Sequence, residues 1–123
     1  MEMQNQIKEY VAQYEKEVRK LADQLRNECM PQPTEELFSE FETNGNRIRY
    51  EAVYFGRRKF LSVLGLASVI WREKEDIQKL EEVIREICAE ECWALPAHVR
   101  RKENPNWRGV IDLFASETGQ TLA

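Results

Sequence analysis

The sequence predicts an all-α protein: a single helical domain over residues 1–123, built of about five helices paired as hairpins, with no sheet. Three observations lead there. Apolar residues recur at three- and four-residue steps through most of the chain, the spacing of helices that bury one face. Only five Gly and four Pro interrupt 123 residues, so long regular elements are expected. No segment reads as a convincing strand.

The first helix is expected from about Gln4 to Cys29. Its apolar residues Ile7, Val11, Tyr14, Val18, Leu21 and Leu25 alternate in steps of four and three. Such a narrow stripe packs inside the chain or serves a coiled-coil partner. Glu15 and Arg19 stand at the i,i+4 spacing of an ion pair. Met30-Pro31-Gln32-Pro33 stops the helix, because proline cannot continue the hydrogen-bond ladder. Thr34 suits the N-cap of a short helix through Phe41, with Glu35 and Glu36 at its positive end. Asn44-Gly45-Asn46 reads as the turn after it.

A third helix is expected from about Arg47 to Trp71. Its first half mixes tyrosines with charge, and its second half, Phe60 to Trp71, is apolar nearly all round. That character calls for other helices on every side. Ser62, Gly65 and Ser68 form a small-residue strip suited to a close helix approach. The short polar link Arg72 to Glu75 implies an antiparallel neighbour. This fourth helix, to about Glu91, gathers Ile77, Leu80, Val83, Ile84, Ile87 and Cys88 on one face. Trp93 to Gly109 reads as irregular, and a last helix begins at Asp112, a good N-cap.

Bulk properties exclude several classes. With 42% hydrophobic and 33% charged residues, the chain is globular, not disordered. A net charge of −4 speaks against nucleic acid as partner, despite basic stretches around Arg57 and Arg101. Phe60 to Trp71 falls short of the roughly 20 apolar residues of a membrane span. Met1 to Tyr10 lacks the apolar core of a secretory signal, and three cysteines make an odd set without disulfide-scaffold spacing. A cytoplasmic setting is therefore expected. No phosphate-binding glycine loop or nucleophile elbow is present, and no cofactor is implied.

Two segments resemble the heparinase II/III family. One is Arg47-Ile48-Arg49-Tyr50-Glu51-Ala52-Val53-Tyr54-Phe55-Gly56-Arg57-Arg58, leading into the apolar helix. The other is Trp93-Ala94-Leu95-Pro96-Ala97-His98-Val99, followed by Ile111-Asp112-Leu113-Phe114-Ala115-Ser116-Glu117-Thr118. The resemblance covers essentially the whole chain. It implies an N-terminal part of an α/α toroid, incomplete on its own, in a polysaccharide lyase that cleaves uronic-acid polymers by β-elimination. It also implies that the main Asn/His/Tyr catalytic set and a β-sheet domain lie in parts this chain does not contain. The chain is then scaffold, inactive alone, with no catalytic residue of its own. Its partners would be an anionic polysaccharide or oligosaccharide and the rest of the parent toroid.

His98, Trp93, Tyr54, Arg57 and Arg58 are the candidate substrate-binding residues. His98, the only histidine, would face a sugar subsite or else fix its loop by bonding the backbone. Trp93 would stack on a sugar ring or plug the end of the fourth helix. Tyr54, Arg57 and Arg58 share a helix face suited to carboxylates, yet the same groups make good internal ion pairs. Cys88, Cys92 and His98 lack a fourth ligand, so no metal is expected. Glu90 and Glu91 read as solvated helix-end charges. The alternative reading of the chain is a helical interaction or dimerisation module, a homo-oligomer joined through exposed apolar helix faces.

Overall fold

Helix boundaries follow local chemistry. In a computed structural model describing residues 1–123, α1 spans Glu2–Arg26, and the Asn27 backbone N–H closes it by bonding back to Gln24. The helix therefore stops short of the expected Cys29. Thr34 Oγ1 accepts from the Leu37 N–H at 3.2 Å and opens α2, Glu35–Asn44. This helix outruns Phe41 because Gly45, at φ 77°, supplies the left-handed cap that glycine adopts without steric cost. α3 spans Ile48–Trp71 and ends on Arg72, also left-handed at φ 56°. α4 spans Lys74–Cys88.

The segment read as irregular holds a short helix α5, Pro96–Val99, with proline at its first position, and a 3-10 turn at Trp107–Gly109. α6, Leu113–Leu122, begins where Asp112 Oδ1 accepts from the Ala115 N–H at 2.7 Å. Six α-helices and no strand make the chain all-α. None of the helices is long and apolar enough to cross a membrane.

The main core joins the C-terminal half of α1 to α3 and α4 through Val18, Ala22, Leu25, Phe60, Leu64, Ala67, Val83 and Ile87. Each of the Val, Leu, Ile and Phe side chains among them contributes about 1.5–3 kcal/mol on burial. Asp76, wholly buried at the start of α4, accepts from Arg19 at 3.0 Å and Arg26 at 2.8 Å. Arg19 also lies over the Trp71 ring, 4.7 Å from its centroid. The expected Glu15–Arg19 pair does not form, because Asp76 and Asp23 take that guanidinium.

Arg19 marks the level at which α3 ends. Earlier turns of α1 lack a neighbour, and Met3, Ile7, Tyr10, Val11 and Tyr14 are exposed. Only the second half of the apolar stripe packs internally. The apolar half of α3 is likewise covered on part of its circumference, since α1 and α4 leave Leu66, Val69 and Ile70 exposed. Nothing in the chain lies within 4 Å of a side chain added at Gly65.

A second core builds on Phe38, Tyr50, Tyr54, Cys92, Leu95, Val99 and Trp107. Phe38 meets Tyr50 edge-on, ring centroids 5.3 Å apart. Arg101 pins α2 to the loop after α5, bonding Glu35 at 2.7 Å and Glu42 at 3.2 Å.

The two halves of α1 should therefore respond differently to truncation. Leu25→Ala is expected to destabilise by about 2–5 kcal/mol, and Ile7→Ala by under about 0.5 kcal/mol, in urea denaturation. An equal loss at both positions would contradict the free-standing first half of α1.

Candidate functional site

Asp112 organises the site. Its Oδ1 caps α6, while Oδ2 accepts the Leu95 N–H at 3.0 Å and lies 2.7 Å from His98 Nδ1. One carboxylate thus joins the start of α5 to the start of α6. Burial alone would raise its pKa, but the bonds from His98, Ala115 and Leu95 outweigh that and hold it below the usual carboxylate range. A carboxylate accepts only, so Nδ1 donates and Nε2 is the ring nitrogen that Asp112 leaves unengaged. The imidazole stacks on Phe114 at 6.2 Å and 9° and is 36% exposed. It is an oriented ring, able to accept a hydroxyl proton or bind a donor.

The other candidates point inward. Tyr54 is buried and its hydroxyl donates to the Trp93 carbonyl at 2.7 Å, with Thr118 Oγ1 at 3.3 Å. Burial raises its pKa, against lowering by Thr118 and Arg58. Tyr50 beside it is pushed up to about 12, first by burial and then by the Glu90 charge. Arg57, 3% exposed, donates to Glu90 at 2.6 Å and to the Pro31 carbonyl at 3.0 Å. Arg58 forks onto Glu90 at 2.9 and 2.8 Å and donates through Nε to Thr118 at 2.9 Å. Its guanidinium also covers the Tyr54 ring at 4.1 Å. Burial would lower the Arg58 pKa, and Glu90 reverses this.

The Tyr/Arg face is thus committed to internal partners. The reading of Glu90 as a solvated charge does not hold, since its carboxylate is 9% exposed and receives both arginines. Glu90 lies just past the end of α4, where only the position of α3 reveals its role. Thr118 is hidden for the same reason. Trp93 is half-buried, and its Nε1–H donates to the Ile87 carbonyl at 2.9 Å, which fits the plug at the end of α4.

Cys92 is buried beside the Ala94 and Trp107 carbonyls, and burial raises its pKa. Cys88, expected on the apolar face of α4, is exposed. No group of three or more His, Cys, Asp or Glu side chains is arranged to hold a metal ion.

The structure therefore brings together His98, Asp112 and Phe114, and it sets Trp93 on Tyr54 through a backbone bond. Comparison of the chain with protein-family models, curated proteins and solved structures found no match.

The depressed Asp112 pKa fixes a pH dependence. Its stabilisation is present above the unfolded value of about 3.9 and is lost as pH falls through the lower folded value. Asp112→Asn should lower stability at pH 7 and flatten the acid limb of a stability–pH profile below about pH 4. Asp112→Ala should cost about 1–2 kcal/mol through the lost cap alone. Parallel profiles for wild type and Asp112→Asn would contradict the assignment.

Proposed function

We propose that this chain is an early helical segment of an α/α toroid of the heparinase II/III type, acting on uronic-acid polysaccharides. In this reading it contributes scaffold and one wall of the substrate cleft, and it does not catalyse alone. The observation that carries the reading is the Asp112 contact. It joins the two parts of the second segment behind the resemblance, Trp93–Val99 and Ile111–Thr118, and leaves the His98 imidazole oriented and accessible. The exposed strip of Leu66, Val69 and Ile70 supports it, as a surface for further toroid helices. Three free cysteines favour a reducing compartment, such as the cytoplasm.

In β-elimination the uronate carboxylate is neutralised, a base removes the neighbouring proton and an acid protonates the leaving oxygen. His98 would hold a sugar hydroxyl through Nε2, while the proton-transfer groups would come from the rest of the toroid. An NMR titration with uronic-acid tetrasaccharides tests this. Saturable shifts at His98, Phe114 and Ala97–Val99, abolished by His98→Ala, are the expected result. Release of unsaturated uronate by this chain alone, lost in His98→Ala, would overturn the claim of inactivity.

The second reading is a self-association module, favoured by the exposed Met3, Ile7, Tyr10, Val11 and Tyr14 on α1. Val18 and Leu25 belong to the core, so the test belongs at Ile7 and Val11. Sedimentation at tens of micromolar should show a dimer that Ile7→Glu with Val11→Glu converts to a folded monomer. A wild-type monomer at every concentration would remove this reading.

A further inference from the structure

We infer that the groove between Trp93 and the Glu91–Arg108 pair is a subsite for one pyranose ring of an oligosaccharide. The inference rests on the polysaccharide reading above and adds a place that His98 does not serve. The groove holds about 540 Å³ and is lined by Trp93, Arg108, Ser116, Glu91 and the Gly109–Ile111 segment. That volume lies within the range of roughly 300–1,000 Å³ for small-molecule sites.

Its chemistry is that of a sugar site. A pyranose has an apolar C–H face and an edge of paired hydroxyls, so it needs a flat apolar wall beside a donor and an acceptor. Trp93 supplies the wall, and its ring is held in place. Nε1 is anchored to the Ile87 carbonyl at 2.9 Å, and one ring edge lies 4.0 Å from the position of a side chain at Gly119. Arg108 and Glu91 supply the polar edge. Arg108 donates through Nε at 3.2 Å to Glu91 Oε2, and its Nη2 lies 3.1 Å from the same oxygen. Glu91 Oε1 and Arg108 Nη1 therefore point to no partner in the pair. They present one acceptor and one donor to neighbouring hydroxyls.

The Arg108 guanidinium is also backed by the Trp107 ring, 4.4 Å from the centroid, so its orientation is partly set before a sugar arrives. Ser116, an exposed hydroxyl on α6, lines the same groove. Preorganised groups lose less freedom on binding than mobile ones.

Titration of the full chain with tetragalacturonate and with cellotetraose tests the inference, read by amide and indole NMR shifts. Saturable shifts of the Trp93 indole, Gly109, Val110 and Ser116 with either saccharide are expected. Glu91→Gln and Arg108→Ala, both at exposed positions, should each weaken those shifts at least about fivefold, with the fold intact. His98→Ala should leave them in place. Shifts confined to His98 and Phe114 would overturn the groove and leave the cleft-wall reading standing. No shift with either saccharide on a folded sample would overturn both.

Discussion

The two cores are joined through one nearly buried carboxylate. Glu90 accepts from Arg57 and from both forks of Arg58 while 9% exposed. Arg57 continues to the Pro31 carbonyl, Arg58 to Thr118, and Thr118 and the Trp93 carbonyl both meet the Tyr54 hydroxyl. One charge thus ties the link between α1 and α2, the middle of α3, the end of α4 and the body of α6. Breaking a buried ion pair by removing one partner costs about 3–5 kcal/mol, a large share of the roughly 5–15 kcal/mol that holds a small domain folded.

Its position explains the two-part core. Arg57 and Arg58 lie on α3 between Tyr50 and Tyr54, which face the second core, and Phe60 to Ala67, which face the first. The polar layer both separates and joins them. It also reaches the Trp93 carbonyl and Thr118 of α6. The same logic recurs at Asp76, where a second buried carboxylate couples α1 to α4 through Arg19 and Arg26.

Helix positions were legible in the sequence because their signals are local. Thr34, Gly45 and Asp112 act as caps through their own side chains or backbone freedom, and each ends or starts a helix as expected. Burial was less legible, because it depends on what else is present. The α1 stripe is uniform along the sequence, yet packing stops where α3 ends at Trp71. Cys88 follows Ile87 by a turn of about 100°, which carries it off the buried face. His98 and Asp112 were each visible, one as a candidate ligand and the other as a cap. Their pairing across an irregular loop was not, because no periodicity spans that loop. Glu90 was missed outright, since an acid near a helix end is usually solvated.

Native-state hydrogen exchange on Glu90→Gln tests the central role of that carboxylate most directly. The account predicts lost protection in α6 and in Trp93 to Asp112, while α3 and α4 residues of the main core, such as Leu64 and Ile87, stay protected. Unchanged protection of α6, or an even loss across the chain, would contradict it.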